Sequence, residues 1–154
     1  FALGMERSLS FFDNFLRDSS FALFIDSKGI EVGDDIKSKE SWLEYGGQFN
    51  YYVINSFQSL NDYNVYGYGQ MGVGSGKLEA TIYSGSTSAS DEIEGAGSFA
   101  ALGLGTKLNL KSGLSMRAQM DYYLSSQTFT TDTGTDIEKS ISGLRINFGM
   151  EYQF

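Results

Sequence analysis

Apolar and polar residues alternate along most of this chain with a period of two. The final segment shows the pattern most clearly, because every second residue from Leu144 to Phe154 is apolar and those between are polar or glycine. Such alternation is typical of a β-strand with one apolar and one polar face. It predicts an all-β protein. Eight strands are expected, at about residues 1–11, 20–32, 42–54, 64–73, 77–83, 98–110, 113–124 and 141–154.

The first two predicted strands each carry an irregularity. In the first strand, Arg7 falls on the apolar face, and in the second the phase of the alternation slips near Lys28 and Gly29. One extra residue in a strand produces such a slip. We therefore expect a β-bulge at Lys28 and Gly29.

The connections between the predicted strands differ in length. Short glycine-containing links at 74–76 and 111–113 are typical of tight turns, whereas 84–97 and 125–140 are long and polar. The link at 33–41 departs from this scheme, because it stands where a short turn is expected. Alternating short and long links place the long loops at one end of an up-and-down barrel. The links at that end, which also include 12–19 and 56–63, hold most of the negative charge: Asp13, Asp18, Asp62, Asp91, Glu92, Glu94, Asp132, Asp136 and Glu138, against Arg17 and Lys139.

Composition excludes several classes of protein. The 154 residues include no cysteine, histidine or proline, so disulfides, thiolate or imidazole metal sites and histidine-dependent triads are excluded. The net charge of −8 argues against nucleic-acid binding. No apolar run is long enough for a transmembrane helix, whereas a transmembrane barrel needs only alternating strands. The length fits one domain, residues 1–154.

Periodicity alone leaves open which face of the strands points inward. In a soluble lipocalin-like barrel the apolar face surrounds a ligand, and in a membrane barrel it meets lipid. The polar face combines balanced charges with many glycines, which suits a narrow lumen filled by paired large side chains and small ones. This favours the membrane orientation. The expected lumen charge network is Glu44, Lys77, Glu79, Lys107, Arg117, Asp121, Arg145 and Glu151.

This orientation leads to three further expectations. Buried charges need partners, so at least one arginine–carboxylate ion pair is predicted inside the barrel. Trp42 and the many tyrosines are expected in aromatic girdles at the membrane interfaces. The expected lipid-facing residues are Leu102, Leu104, Leu114, Met116, Met120, Leu144 and Ile146.

The layout of eight strands over the whole chain, with an aromatic final strand, resembles the small outer-membrane β-barrels of the OmpA/OmpX type. The resemblance implies an eight-stranded antiparallel up-and-down transmembrane β-barrel in the outer membrane of a Gram-negative bacterium. It also implies that Phe148, Met150, Tyr152 and Phe154 form the signal read by the barrel assembly machinery. No peptidoglycan-binding domain is seen after Phe154, so anchoring to the cell wall is not implied.

The expected function is non-enzymatic. Small outer-membrane barrel enzymes resemble one another in using a histidine with a serine, and carboxylate catalysis by Glu79, Asp121 or Glu151 is the weaker interpretation of residues expected in ion pairs. We expect a structural or partner-binding barrel without cofactor or metal. Its expected partners are membrane lipid, lipopolysaccharide and other outer-membrane proteins, and not nucleic acid.

Two alternative functions stay open at this point. The first is a narrow or gated pore for ions or very small solutes, and the second is a soluble lipocalin-like ligand-binding barrel. Asp91, Glu92 and Glu94 carry the oxygen ligands that Ca²⁺ or Mg²⁺ prefers, but their spacing is not that of an EF-hand. A solvated acidic loop is the favoured interpretation of these three residues.

Overall fold

A computed structural model of the chain describes residues 2–9, 18–32, 36–54, 63–84, 87–110, 114–131 and 133–152. The described residues form one antiparallel sheet in which each strand pairs with the next along the chain. The strands are β1 Ala2–Ser8, β2 Ser19–Val32, β3 Ile36–Ile54, β4 Tyr63–Ser84, β5 Thr87–Asn109, β6 Leu114–Thr130 and β7 Asp136–Tyr152. The protein is all-β with up-and-down topology, as the alternation predicts. The same residues contain no helix with the length and apolar character needed to cross a membrane.

Seven strands replace the predicted eight because Gly74-Ser75-Gly76 is not a turn. These residues lie inside β4 and pair with β3 on one side and with β5 on the other. Neither glycine has a positive φ, which in the described chain occurs at Gly134 in the β6–β7 link. Gly76 is required for packing instead, since a Cβ at this position would overlap the Trp42 ring. The predicted strands 64–73 and 77–83 are therefore one strand.

The sheet is strongly curled but not closed, which corrects the prediction of a complete barrel. Within the described residues β1 and β7 are its two edges. Contacts between distant strands show the curl: Lys139 on β7 bonds to Glu40 on β3, and Lys107 Nζ on β5 lies 3.7 Å from Glu6 Oε2 on β1. One face of the sheet therefore encloses an interior, which we call the inner face. The opposite, convex face is called the outer face.

The connections are distributed differently from the prediction. The hairpin end of the sheet holds the links 33–35, 85–86 and 131–135, and the loop end holds 9–18, 55–62 and 110–113. Most of the predicted loops at 84–97 and 125–140 is strand, because β5 begins at Thr87 and β6 continues to Thr130.

The predicted concentration of acidic residues at one rim is consequently wrong. Asp18 lies at the loop end, whereas Glu92, Glu94, Asp136 and Glu138 lie on strands at the hairpin end. Three acidic residues of the predicted set and one basic residue lie outside the described residues: Asp13, Asp62, Asp132 and Arg17.

The register of β2 contains no bulge. Its pairing with β3 is unbroken from Ser19 to Val32, so the predicted irregularity at Lys28 and Gly29 is absent. The register shift that does occur lies between Tyr52 and Ile54, where β3 pairs with β4. Because the phase of β2 is continuous, Lys28 points to the inner face.

The outer face is apolar through its middle on strands β2 to β7, and we call this band the apolar belt. On β1 the exposed Arg7 lies on the same face as Met5 and pairs with Phe21. Six of the predicted lipid-facing residues are exposed in the apolar belt, and Leu114 is half-buried on the same face. The six are Leu102, Leu104, Met116, Met120, Leu144 and Ile146. A lipocalin-like barrel requires the opposite orientation, so this alternative is wrong. Phe148 and Met150 are exposed on the outer face, Tyr152 belongs to β7, and Phe154 lies outside the described residues.

Exposed serines mark where the apolar belt ends toward the hairpin end. Each is the first outward residue beyond an apolar one, as Ser126 is beyond Leu124 on β6. This serine line consists of Ser27, Ser41, Ser75, Ser98, Ser126 and Ser142. On β6 the belt runs from Leu114 to Leu124, which at roughly 3.3 Å per residue and a tilt of about 40° gives a height of about 25 Å. That height matches the apolar band of outer-membrane barrels.

A test of the packing role of Gly76 uses Gly76→Ala, with Gly69→Ala as the matched control. Both glycines lie on β4, but a Cβ at Gly69 meets no atom within 4 Å. We expect Gly76→Ala to lower the free energy of unfolding by about 1–3 kcal/mol, because Trp42 must move. Urea unfolding of the folded, lipid-reconstituted chain measures both effects. Equal stability of the two variants would contradict the packing role.

Candidate functional site

The inner face of the sheet is a polar interior whose central group is Asp121. Its side chain is fully buried and receives Arg145 from the neighbouring strand, with Arg145 Nη2 3.0 Å from Oδ2 and Nε 3.1 Å from Oδ1. Tyr68 donates its hydroxyl to the same carboxylate at 2.5 Å, and Asn147 Nδ2 donates at 3.2 Å. The carboxylate is therefore neutralised by one guanidinium and supported by neutral donors. Burying it without these partners would be unfavourable.

A chain of hydrogen bonds extends from this ion pair across the interior. Arg145 Nη2 donates to Gln70 Oε1 at 2.8 Å, and Gln70 Nε2 donates to Gln48 Oε1 at 2.5 Å. Gln48 then donates to Asn50 at 2.5 Å, and Asn50 Nδ2 donates to Glu6 Oε1 at 3.1 Å. The chain joins β7, β4, β3 and β1. Because the first and the last of these bonds cross between non-adjacent strands, the side chains fill the middle of the interior.

Glu6 forms a second charged centre, nearer the loop end. Its carboxylate accepts hydrogen bonds from Ser20 and from the Tyr52 hydroxyl, the latter at 2.5 Å. Lys107, which is almost fully buried, supplies the opposite charge. Glu6 is not among the predicted lumen charges because the alternation is weakest in β1, although its position between Met5 and Arg7 was the available signal.

Glu44 forms a third charged centre, nearer the hairpin end. Its side chain is fully buried, lies 2.5 Å from Lys28 Nζ and accepts a hydrogen bond from the Tyr123 hydroxyl. Lys28 also lies 4.5 Å above the Tyr123 ring and 3.7 Å from Asp26. Lys28 is not among the predicted lumen charges, because the expected bulge would turn its side chain to the outer face.

Aromatic rings pack around Glu44 on the inner face, and the Trp42–Phe129 pair closes the interior beyond it toward the hairpin end. Phe99 packs against Phe24 and Tyr123 with ring centroids 5.9 and 6.0 Å apart, and Trp42 packs against Phe129 at 5.9 Å. Trp42 is buried, so its predicted place in an interfacial girdle is wrong. Four tyrosines are likewise buried on the inner face, namely Tyr52, Tyr66, Tyr68 and Tyr123. The exposed outer-face tyrosines are Tyr45, Tyr51, Tyr63 and Tyr122.

The predicted lumen charges divide into three groups. Five of them lie on the inner face: Glu44, Lys107, Arg117, Asp121 and Arg145. The expected arginine–carboxylate pair is present between Arg145 and Asp121. The side chain of Glu151 lies outside the described residues.

Lys77 and Glu79 form the third group and lie on the outer face, which corrects their predicted position. A turn at 74–76 would restart the alternation, but β4 continues and carries both residues outward in phase with Met71 and Val73. Lys77 bonds to Glu92 on the neighbouring strand β5, and its Nζ lies 3.3 Å from Oε1 of Glu94 on the same strand. The hydrogen bonds to Glu92 and then to Glu94 raise the pKa of Lys77 above its ordinary value, so the ammonium stays charged.

The described residues offer no metal centre, since they contain no group of three or more acidic side chains placed to hold an ion. Glu92 and Glu94, which the sequence placed in an acidic loop with Asp91, lie on β5 and interact with Lys77. Asp91 itself is part of β5. Glu92 and Glu94, two of the three acidic residues of the predicted loop, therefore have a lysine as their partner.

The importance of the central ion pair is tested by Arg145→Met. The substitution leaves the Asp121 carboxylate buried without its opposite charge, so we expect the free energy of unfolding to fall by about 2–4 kcal/mol. The expected loss of stability is somewhat smaller than the usual cost of breaking a buried ion pair, because the Arg145 side chain is 20% exposed. Lys77→Met is the matched control, and should change stability little since Lys77 and its partners face water. Equal effects of both substitutions in urea unfolding would contradict the account.

Comparison with known proteins agrees with the architecture. No family model matches the chain, and no curated protein matches its sequence. Among solved structures, the chain is similar to the crystal structure of a major outer membrane protein from Thermus thermophilus. The identity is 13% and the TM-score 0.50, with 88% of this chain and 83% of that chain covered. The chain thus has an antiparallel up-and-down fold of the outer-membrane β-barrel kind.

Proposed function

We propose that this chain is an integral protein of the bacterial outer membrane with a structural or partner-binding role. The observation that supports the proposal is the inverted two-faced sheet, in which large apolar side chains are exposed outside while Glu44, Lys107 and Asp121 are buried inside. In water this arrangement would expose a large apolar surface, which is unfavourable. In a bilayer the same surface contacts hydrocarbon.

The filled interior supports a non-conducting barrel. The chain of hydrogen bonds from Arg145 to Glu6 occupies the middle of the interior, and the Trp42–Phe129 pair occupies the space toward the hairpin end. Small barrels have interiors just wide enough for side chains to fill. The proposed role therefore requires no permanent channel, and a pore would need these side chains to move.

The same contacts support a non-enzymatic role. Asp121 and Glu44 are fully buried and each is bonded to a cation and a tyrosine hydroxyl. A general acid or base must reach its substrate, and these carboxylates have their hydrogen-bonding capacity directed at the protein itself. No cofactor is part of the proposal.

The proposed partners of the chain are those that would contact its apolar belt, its last strand and its hairpin end. The apolar belt meets membrane lipid, and the aromatic and apolar positions Phe148 and Met150 on β7 are exposed where the barrel assembly machinery would bind during insertion. The carboxylates of Glu92 and Glu138 are exposed at the hairpin end, where other outer-membrane proteins would meet them. Lipopolysaccharide is a further proposed lipid partner.

Paired lysine substitutions on β7 test the membrane orientation. Ile146 lies within the apolar belt, whereas Ser142 lies on the serine line and points to the same outer face. We expect Ile146→Lys to lower the free energy of unfolding in lipid vesicles by about 2–4 kcal/mol, and Ser142→Lys to lower it by about 0–1 kcal/mol. Reversible urea titration in vesicles measures both. Equal costs at the two depths would overturn the membrane assignment.

Recordings in planar bilayers distinguish the structural role from the alternative pore. We expect the reconstituted wild-type chain to show no steady single-channel conductance, because the interior is filled from Glu6 to Phe129. A stable conductance that decreases when the inner-face charge of Arg117 is removed by Arg117→Gln would establish the pore and refute the structural proposal.

A further inference from the structure

A groove of about 400 Å³ lies on the outer face at the level of the serine line, across β2 to β5. Its walls are outward-pointing residues, and its floor is the backbone of inward-pointing ones. The lining residues are Ser27, Ser41, Trp42, Leu43, Ser75, Gly76, Lys77, Glu94 and Gly95. The strand register explains the groove: Gly76 pairs with Trp42 on one side and with Gly95 on the other. On the outer face the short side chains of Ser27, Ser41 and Ser75 leave the space above this row open.

The groove does not continue into the interior. The Trp42 ring is buried on the inner face and packs against Phe129, so it closes the space beneath Gly76 and Gly95. A molecule in the groove therefore contacts only the outer surface. Because the serine line is where the apolar belt ends, such a molecule would have one part in hydrocarbon and another at the membrane–water boundary.

The two ends of the groove differ in chemistry. Toward the loop end the groove is bordered by Leu43. The apolar belt continues from Leu43 over Tyr45 and Val73, which are paired across β3 and β4. Toward the hairpin end the groove is bordered by Lys77 and Glu94, whose side chains are 52% and 78% exposed. This sequence of apolar, hydroxyl and charged groups matches the order of acyl chain, glycerol and headgroup along a phospholipid.

The charges at the hairpin end of the groove are of both signs. Lys77 has three N–H donors, of which Glu92 and Glu94 engage two. One further donor, together with the hydroxyls of Ser41 and Ser75, suits a phosphate. The two carboxylates around Lys77 make the local charge negative, so a headgroup that also carries a positive charge is favoured over a purely anionic one.

We propose that this groove binds a phospholipid whose headgroup carries both a phosphate and a primary ammonium. The phosphate contacts Lys77 and the serine hydroxyls, the ammonium donates to Glu94, and the acyl chain lies along Leu43 and Val73. The inference rests on the proposed membrane location and adds to it the class of lipid that is recognised.

Native mass spectrometry of the folded chain tests the inference. The chain in mild detergent is mixed with phosphatidylethanolamine, phosphatidylcholine or phosphatidylglycerol of one acyl composition, and retained lipid is counted. The choline headgroup keeps the positive charge but has no N–H, and the glycerol headgroup has no positive charge. We expect phosphatidylethanolamine to be retained about three- to fivefold more than the others, the size of one exposed charge-assisted contact.

Substitutions in the groove test whether the lipid preference arises there. Glu94→Gln is expected to reduce the retention of phosphatidylethanolamine to that of phosphatidylcholine, because it removes the acceptor of the ammonium. Lys77→Gln is expected to reduce the retention of all three lipids, because it removes a contact to the phosphate that they share. Glu138→Gln is the matched control, because it removes an exposed carboxylate on β7 outside the groove. Equal retention of the three lipids by the wild-type chain, or a preference that persists in Glu94→Gln, overturns the inference. If no lipid preference is found but Ile146→Lys still costs more stability than Ser142→Lys, the groove is refuted and the membrane location stands. If the two lysine substitutions cost the same, the membrane location itself is refuted.

Discussion

Pairing of buried charges is the constraint on which the rest of this structure depends. The alternation of the strands places Glu6, Glu44 and Asp121 on the inner face, where each must find a cation or lose more in desolvation than folding can supply. Lys107, Lys28 and Arg145 meet these carboxylates from other strands. Two of the three pairs join neighbouring strands. Lys107 on β5 meets Glu6 on β1 because the sheet curls, and this curl leaves the apolar residues outside.

Close packing of rings against glycines completes the interior. A strand that presents a glycine to the inner face lets a ring from the neighbouring strand lie flat against its backbone, as Trp42 does over Gly76. On the outer face, the short serine side chains above the same backbone leave the groove beside Lys77. Glycines that look like turn signals in the sequence therefore determine the filled interior, and the serines beside them determine the groove on the outer surface.

The sequence predicted the fold class and the direction of most strands, because a period of two is local and survives in every strand with a clear alternation. It failed where the meaning of a residue depends on its neighbours across the sheet. Nothing local distinguishes Gly74 and Gly76 in a turn from the same glycines beneath a tryptophan on the next strand. That single ambiguity reversed the face of Lys77 and Glu79 and moved the three later connections to the other end of the sheet. Inner-face tyrosines were missed for the same reason, since an aromatic residue suits both an interface and a glycine-lined interior.

Lipid imposes one more requirement on the two edges of the sheet. Unpaired backbone N–H and C=O groups are costly in hydrocarbon, so the facing edges of β1 and β7 must be satisfied once the chain is in a membrane. Six antiparallel pairings separate these strands, which makes them run in the same direction. Their approach therefore cannot repeat the antiparallel ladder that joins all the other neighbours.

The central claim, that the apolar face of the sheet meets lipid and the charged face is enclosed, is tested most directly by a spin-label scan along β6 in bilayers. Labels placed singly from Met116 to Leu124 report collisions with oxygen, which concentrates in hydrocarbon. The account predicts high oxygen accessibility at the outward positions 116, 118, 120, 122 and 124, and low values at 117, 119, 121 and 123. Absence of this alternation, or maxima at the positions flanking Met120, would contradict it.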